Sequence, residues 1–392
     1  MSKFITELQK RNLIFDATST IDELHELFDE TKNSVKFYIG FDPTADSLHV
    51  GSLQQLIIMS LAKEFGHQPI VLIGGATASI GDPSFKDTMR PMMTKDIIKS
   101  NFDAIKSQVS GILNGIKIVD NLEWTQNINL LDFLRDFGKH FSVNRMLSFS
   151  SVKDRLNRDN SGLSVLEFSY SMLQAFDFFH LNETMNVTVQ MGGSDQFSNI
   201  IQGIDLVHKI NGKKVVGITN PLVLKSDGTK MGKTASGAIW LDKNKTSVFD
   251  FFQFWRNIDD NEVVELSKRF LGIDADINKI NDAKKHLALE MVKFVHGNTE
   301  RDNLEDQLKK GTASTDIKVS INEVDTIFDV VMKSGLFSSK GEVRRMIKNN
   351  ERIMVNNSKI DENFLNKNDI KIGDVFLIEK GKKSKVKVNI SE

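Results

Sequence analysis

Residues 36–52 form the stretch Lys36-Phe-Tyr-Ile-Gly-Phe41-Asp-Pro-Thr-Ala-Asp-Ser-Leu-His49-Val-Gly-Ser52. The first six residues are mostly apolar and aromatic, which predicts a short buried strand. A polar turn follows, and apolar residues from Leu53 to Leu61 then recur every three to four positions, which predicts a helix beginning at about His49. A strand, a loop and a helix in this order are a building unit of parallel sheets.

Two more stretches have the composition of buried strands that end in glycine. Residues 69–73 lead into Gly74-Gly75, and residues 186–191 lead into Gly192-Gly193. Strands separated by helical segments predict an α/β fold, with a parallel sheet covered by helices on both faces. Ligands of such sheets bind at the carboxyl ends of the strands, so we expect the functional site among these polar and glycine-rich loops.

The remainder of the chain changes character twice. Residues 247–310 show helical periodicity without strand signals, and residues 311–319 are polar and predict a linker. Beyond residue 320 we predict one helix ending at Gly335, a second beginning at a capping box Ser339–Glu342, and short strands near 352–355 and 374–378. The predicted domains are a catalytic α/β domain over 1–245, a helical domain over 246–317 and a small α+β module over 320–392.

Composition excludes several classes of protein. Hydrophobic residues make up 40% and charged residues 26% of the 392 residues, and no apolar run reaches the length of a membrane span. The first 12 residues match neither a secretory signal nor a transit peptide. Without cysteine, thiol chemistry and Cys-ligated metals are excluded, and the eight scattered His residues make a zinc site unexpected. We expect a cytoplasmic enzyme with no protein-held metal and no membrane partner.

The formal net charge of −1 favours no class of partner, but the charge is unevenly distributed. Residues 318–392 carry 15 Lys and Arg against 11 Asp and Glu, whereas the rest of the chain is net negative. A positive C-terminal segment is where contact with a nucleic acid is expected.

The turn and helix start at residues 42–52 suit a phosphate-bearing ligand. Unpaired N–H groups and the positive end of the helix dipole attract anions. Gly51 would allow a nucleotide to approach the backbone closely. An equally simple interpretation of this stretch alone is structural, with His49 capping the helix and Gly51 packing against it.

The polar loop Lys225-Ser-Asp-Gly-Thr-Lys230-Met-Gly-Lys233-Thr234 is the second chemical motif. It fails as a Walker A loop, because Asp227 stands where that pattern needs Gly and no helix-forming sequence follows Thr234. The loop is either a solvated hairpin tip or a mobile element that brings two ammonium groups to a polyphosphate.

Together the two motifs resemble the HIGH and KMSKS signatures of class I aminoacyl-tRNA synthetases. Four further stretches resemble bacterial-type tyrosyl-tRNA synthetase in order and spacing: Tyr38-Ile-Gly-Phe-Asp42, Gly74-Gly-Ala-Thr77-x3-Gly-Asp82-Pro, Tyr170-x3-Gln174-x2-Asp177 and Gln190-x-Gly-Gly-Ser-Asp195-Gln196. The resemblance covers nearly the whole chain. It implies a Rossmann-like catalytic domain, a helical domain, an S-four-like RNA-binding module at the C-terminus, and a homodimer.

The resemblance also implies the roles of individual residues. The groups implied to stabilise the transition state of tyrosine activation are Thr44, His49, Lys86, Arg90, Lys230, Lys233 and Thr234. The residues implied to bind tyrosine are Tyr38, Asp82, Tyr170, Gln174, Asp177 and Gln196, with Tyr38 and Asp177 at the phenol hydroxyl. The residues implied to bind ATP are Gly40, Asp42, Gly51, Ser52, Gly192, Asp195, Lys230 and Lys233. Mg²⁺ would arrive with ATP, and tRNA(Tyr) would be the acceptor.

The basic tail supplies the candidate RNA contacts. These are Arg344, Arg345, Lys348, Lys382, Lys383 and Lys385. Their simpler interpretation is a solvated basic tail, and the simpler interpretation of Lys86 and Arg90 is a solvated charged loop.

The chain departs from the family pattern at two positions. Ser52 stands where the family commonly has His, which predicts altered ATP binding, and Phe197 stands where Trp is usual.

Two other functions remain open at this stage. A tryptophanyl-tRNA synthetase shares the fold, although the pair Tyr38 and Asp177 suits a phenol better than an indole. An RNA-binding scaffold with an inactive site is supported only by Ser52, and the retained lysines of the second loop argue against it.

Overall fold

The computed structural model describes residues 1–32, 34–83, 92–149, 152–153, 156, 163–226, 228–234, 237–310, 314–381 and 384–392. The side chains of residues 233, 234, 362 and 384 are not part of this description. The chain folds as two compact units, Met1–Asp242 with Ile258–Ala283, and Lys243–Asn257 with Lys284–Glu392. The predicted division into three domains stays a prediction.

The first unit contains a sheet in the order β1-β6-β5-β2-β3-β4. Its strands are β1 (Asp16–Ala17), β2 (Lys36–Phe41), β3 (Gln68–Ile73), β4 (Lys117–Asp120), β5 (Val189–Gly193) and β6 (Val216–Asn220). Strands β2 to β6 pair in parallel, and only β1 is antiparallel to its neighbour. The α/β class with a parallel sheet is confirmed, and the three predicted strands are β2, β3 and β5.

Helices connect these strands, as parallel pairing requires. The helices up to β5 are α1 (Lys3–Lys10), α2 (Ile21–Leu27), α3 (Leu53–Glu64), α4 (Lys95–Ile112), α5 (Leu122–Thr125), α6 (Leu130–Asp136), α7 (Val143–Ser148) and α8 (Val165–Met185). The remainder of this unit contains α9 (Phe197–Asn211), the short strands β7 (Lys233–Thr234) and β8 (Gly237–Ala238), α11 (Asp260–Leu266) and a π-helix (Ser267–Leu271). Helix α10 (Val248–Arg256) belongs to the second unit.

The strand order places the functional site. The chain builds β2, β3 and β4 in one direction and then returns to place β5 on the other side of β2. The loops after β2 and β5 therefore leave the sheet in opposite directions and open a crevice at its carboxyl edge. Buried side chains such as Tyr38, Leu72 and Phe178 pack the sheet against α8 beneath this edge.

The second unit contains α10, α12 (Ile280–Lys310, which begins in the first unit and is broken at Gly297) and a five-stranded sheet in the order β11-β10-β12-β13-β9. The strands are β9 (Thr315–Ser320), β10 (Ile353–Val355), β11 (Ser358–Lys359), β12 (Val375–Lys380) and β13 (Ser384–Ser391). Helices α13 (Ile327–Lys333), α14 (Lys340–Lys348) and α15 (Glu362–Leu365) complete it. Val330, Val343, Ile378 and Val388 are fully buried in its core.

Two details of this unit differ from the sequence prediction. The linker predicted for 311–319 is wrong for residues 315–319, which form β9 and pair in parallel with β13. Ile317 and Val319 alternate along a strand whose partner lies some 70 positions away in the sequence. The local composition therefore did not reveal the strand. The Ser339 hydroxyl caps α14 as predicted, but the Glu342 carboxylate accepts from Ser338 and not from Ser339.

Within the described part of the chain, no helix combines the length and apolar character needed to cross a membrane.

Candidate active site

A cavity of about 520 Å³ opens at the carboxyl ends of β2 and β5. Thirteen residues singled out from the sequence line it: Tyr38, Gly40, Asp42, Thr44, His49, Ser52, Asp82, Tyr170, Gln174, Asp177, Gly192, Asp195 and Gln196. Lys86 and Arg90 lie outside the described residues, as do the side chains of Lys233 and Thr234. The structure thus brings residues from four separate sequence stretches into one cavity, whereas their individual roles stay predictions.

The deep end of the cavity holds Tyr38 and Asp177, which are 1% and 2% exposed. The Tyr38 hydroxyl has no hydrogen-bond partner within the described residues. The Asp177 carboxylate accepts from the Trp124 Nε1–H and from the Asn121 amide, each at 2.9 Å. Burial raises the pKa of Asp177 to about 7, although both hydrogen bonds oppose this rise. This end therefore offers a free hydroxyl and a carboxylate held in a fixed orientation.

A second polar group lies where helix α8 faces the loops after β2 and β3. The Tyr170 hydroxyl donates to Asp42 at 2.9 Å, and Gln196 donates to Asp82 at 2.8 Å. The buried Oε1 of Gln174 has no partner within the described residues. Carboxylates and an unpartnered amide oxygen at one place suit a ligand that is a cation and a hydrogen-bond donor.

Helix α8 brings these side chains to one face. Tyr170, Gln174 and Asp177 follow each other at i+4 and i+3 and all line the cavity, as the sequence predicts. The helix begins with a complete capping box between Ser164 and Glu167, which fixes its first turn.

A hydrogen-bond chain that sequence reasoning missed connects the two polar ends. Asn121 donates to Asp177 and, at 3.1 Å, to the Thr77 hydroxyl, which in turn donates to Asp42 at 2.7 Å. The Asn121 side chain is itself fixed, because its Oδ1 accepts from the Ala76 N–H. Asn121 and Trp124 follow the end of β4. Ligands of parallel sheets bind at the carboxyl ends of the strands, but β4 was not predicted from the sequence, so these two residues were not recognised.

The first signature segment forms the outer part of the cavity. His49 caps a short 3₁₀ helix (Val50–Ser52), and its Nδ1 accepts from the Gly51 N–H at 3.0 Å. A Cβ on Gly51 would lie 2.6 Å from the His49 ring and 3.2 Å from the Met231 carbonyl oxygen. The structural interpretation of His49 and Gly51 is therefore confirmed, and His49 also lines the cavity.

The second signature segment forms a hairpin over the same end of the cavity. Met231 N–H donates to Val223 O, and Leu224 pairs with Lys230. The Lys230 ammonium lies 2.7 Å from the Asp195 carboxylate at the cavity wall. Half of the Lys230 side chain is exposed, so solvent screens this ion pair and leaves it exchangeable. The loop is thus a hairpin tip that also delivers an ammonium group to the site.

No group of three or more His, Asp or Glu side chains placed to hold a metal ion occurs among the described residues.

The second unit holds the candidate RNA contacts. Arg344, Arg345 and Lys348 are exposed on α14, and the Arg344 guanidinium lies 5.4 Å from the centroid of the Phe328 ring. The Lys385 ammonium lies 3.0 Å from the buried carboxylate of Glu379, and its role in RNA binding stays a prediction. Lys382 and Lys383 lie outside the described residues.

The family model described as tRNA synthetases class I (W and Y) matches residues 30–313. The chain is 40% identical to the tyrosine–tRNA ligase of Pelagibacter ubique over the full length of both, and 42% identical to that of Agrobacterium fabrum over 88% of each. A C-terminally truncated mitochondrial tyrosyl-tRNA synthetase from Aspergillus nidulans has a similar structure, with a TM-score of 0.67 and 30% identity over 78% of this chain and 93% of that one.

A parallel sheet with this crevice, the two signature segments beside it and the matching family model define a class I aminoacyl-tRNA synthetase. Within that class, the full-length relatives show that the chain belongs to the tyrosine–tRNA ligase family.

Proposed function

We propose that the chain joins L-tyrosine to ATP, forming tyrosyl-adenylate and pyrophosphate, and then transfers tyrosine to the 3′ end of tRNA(Tyr). The observation that carries this proposal is the set of unpartnered polar atoms in the cavity wall. The Tyr38 hydroxyl and the side-chain oxygens of Gln55, Gln174 and Gln190 are buried without a partner in the described part of the chain. Leaving such groups unpaired costs about 1–3 kcal/mol each, so the cavity is suited to a polar ligand that pairs with them.

Tyrosine fits the chemistry of the two polar ends. Its phenol hydroxyl can donate to the Asp177 carboxylate and accept from the Tyr38 hydroxyl, which satisfies both. Its ammonium group can donate to Gln174 Oε1 and to the carboxylates of Asp42 and Asp82. Phenylalanine would leave Tyr38 and Asp177 unpaired at the bottom of the cavity, so the site should reject it.

The outer part of the cavity supports the assignment of ATP. The activation step needs no general base, because the tyrosine carboxylate is already an anion at neutral pH. What the protein must supply is alignment of the carboxylate with the α-phosphate and stabilisation of charge on the leaving pyrophosphate. His49 and Lys230 carry donors at this end, and Asp195 is an acceptor suited to ribose hydroxyls.

Mg²⁺ fits this scheme as an ion that travels with the nucleotide. Its preferred ligands are phosphate oxygens, water and one or two carboxylates. Asp195, whose carboxylate pairs with Lys230, is a carboxylate of the cavity wall that could serve this ion. When bound, the ion would neutralise phosphate charge, and the residues named above would still carry the alignment.

Two further features concern partners and location. Exposed apolar side chains gather on α6 and α7, where Leu130, Leu131 and Val143 are 69%, 73% and 58% exposed. Such a surface supports the proposed homodimer, because apolar patches on one face mark contact sites. For tRNA, the exposed cations of α14 support a phosphate-binding surface on the second unit. A cytoplasmic location stays a prediction.

Tyrosine-dependent exchange between pyrophosphate and ATP tests the activation step. We expect exchange with tyrosine, with exchange on tryptophan or phenylalanine at least about 100-fold less efficient, because two buried polar groups would lose their partner. Charging of tRNA(Tyr) by the same preparation tests the second step. Equal exchange with tryptophan would overturn the assignment of the amino acid, and no exchange with any amino acid would favour a non-catalytic scaffold.

A further inference from the structure

The hairpin that carries Lys230 is a short two-stranded structure. It leaves β6 at Pro221 and turns between Lys225 and Thr229, where the Lys225 N–H donates to the Thr229 carbonyl at 2.8 Å. Two-stranded hairpins of this length are marginally stable in water by themselves. The position of Lys230 therefore depends on what holds the hairpin from outside.

The base of the hairpin is held by two side chains. The Gln54 amide, at the start of α3, donates to the Pro221 carbonyl at 2.7 Å. The Arg269 guanidinium contacts the Leu222 carbonyl at 3.4 Å and the Gln54 Oε1 at 3.5 Å. These contacts tie the root of the hairpin to the helix that follows the first signature segment.

A carboxylate from α11 contacts the turn of the hairpin. The Ser226 N–H donates to Glu262 Oε1 at 2.6 Å, and Glu262 lies in the first turn of α11. A backbone N–H bonded to an ionised carboxylate is a charge-assisted hydrogen bond, stronger than a neutral one. This bond joins α11 to the hairpin at Ser226, which is close in sequence to Lys230.

Glu262 and Arg269 belong to one continuous helical segment, formed by α11 and the π-helix. Arg269 is 6% exposed and forms an ion pair with Glu265 one turn earlier, within the junction of α11 and the π-helix. In the π-helix, the Phe270 carbonyl accepts from the guanidinium of Arg11, the residue that follows α1, at 2.8 Å. π-Helical turns are rare and are frequent at functional sites. Here the turn directs a buried guanidinium at the hairpin root while α11 presents Glu262 to its tip.

We propose that Glu262 and Arg269 are positioning residues that hold the hairpin at Ser226 and Leu222 and so present Lys230 to the nucleotide end of the cavity. This inference rests on the proposed function of the cavity. Lys230 is required where charge develops, so a misplaced hairpin should lower the rate of adenylate formation and leave tyrosine binding unchanged. Neither residue lines the cavity, so both act through the hairpin.

The test uses Glu262→Ala in the full chain, because Glu262 is only half-buried and lies in the first turn of its helix. Glu262→Gln keeps an oxygen that accepts from Ser226, and Glu64→Ala is the matched control, an exposed Glu at the end of α3. We expect Glu262→Ala to slow single-turnover adenylate formation roughly twofold to tenfold, the change produced by losing one hydrogen bond. Glu262→Gln should restore most of the rate, and the tyrosine dissociation constant should be equal in all four proteins.

Amide hydrogen exchange of the hairpin gives a second readout that does not depend on activity. The Ser226 amide should exchange faster in Glu262→Ala than in the wild type and the Glu64→Ala protein. A Glu262→Ala protein with wild-type rate and wild-type Ser226 exchange would overturn the inference, as would an equal loss of tyrosine affinity and rate. If the wild type shows no tyrosine-dependent exchange, the proposed function fails, and the amide exchange still decides whether Glu262 holds the hairpin.

Discussion

Replacing Asp177 by Asn changes one atom of the cavity and tests the assignment of its deep end. The carboxylate receives three donors in the proposed complex, from Asn121, from Trp124 and from the phenol of tyrosine. An Asn side chain offers a single oxygen and an NH₂ group. One of the three donors must then face another donor in a buried place, so the substitution removes an acceptor without leaving a cavity.

The expected size of the effect follows from the burial of this site. A hydrogen bond to a charged group contributes about 1.5–3 kcal/mol, which corresponds to a fall in kcat/KM for tyrosine of about 10- to 150-fold. Phenylalanine has no hydroxyl and should lose much less. The preference for tyrosine over phenylalanine should therefore shrink by roughly the same factor, while KM for ATP stays within about twofold of the wild type.

The assay is pyrophosphate–ATP exchange measured with both amino acids over a range of concentrations. Glu183→Gln is the matched control, since Glu183 lies on the same helix α8 but forms a surface ion pair with Lys213. Urea unfolding of both variants separates pocket chemistry from stability.

The pKa of Asp177 adds a pH dependence to the same experiment. Its value of about 7 in the empty cavity means that the carboxylate becomes protonated as the pH falls below neutrality. Only the ionised form offers all of its oxygen lone pairs to donors, so kcat/KM for tyrosine should fall below pH 7, by up to about tenfold per pH unit. This acidic limb should be absent in Asp177→Asn.

If kcat/KM for tyrosine and for phenylalanine falls by the same factor in Asp177→Asn, Asp177 does not bind the phenol hydroxyl. If the variant keeps the acidic limb of the wild-type profile, another group is the one that titrates.

Three further predictions concern the rest of the molecule. Lys230→Ala should slow adenylate formation on the order of 100-fold with an unchanged tyrosine dissociation constant, since the ammonium acts where charge develops; a normal single-turnover rate would contradict this. Ser52→His should change KM for ATP or the activation rate and leave the preference for tyrosine over phenylalanine intact; the absence of any kinetic effect would show that position 52 does not contact ATP. Deletion of residues 315–392 should preserve tyrosine activation and abolish most tRNA charging; equal charging by both proteins with equal salt dependence would exclude a role in RNA binding.

The truncation shows how structure alters the design of an experiment. The sequence placed the start of the C-terminal module at 320, which would leave β9 attached to the rest of the chain without its partner β13. An unpaired edge strand is prone to association with other chains. Cutting before Thr315 removes the whole sheet and avoids this complication.

The sequence by itself determined the local elements and the chemistry of the cavity wall. Strand β2 spans the residues predicted, and Tyr170, Gln174 and Asp177 share a helix face, because both depend on periodicities of neighbouring residues. The resemblance to a family then assigned roles that periodicity alone leaves open, such as that of His49, which is also a helix cap.

Tertiary structure decided everything that depends on contacts between distant segments. The support of Asp177 by Asn121 and Trp124, the pairing of Lys230 with Asp195, and the hold of Glu262 on the hairpin each join residues more than 30 positions apart. The residues next to a side chain in the sequence do not identify such partners, because the order of the strands in the sheet decides which distant segments come into contact. The same reason explains why β9 was not predicted, since it forms a strand by pairing with β13 at the far end of the chain.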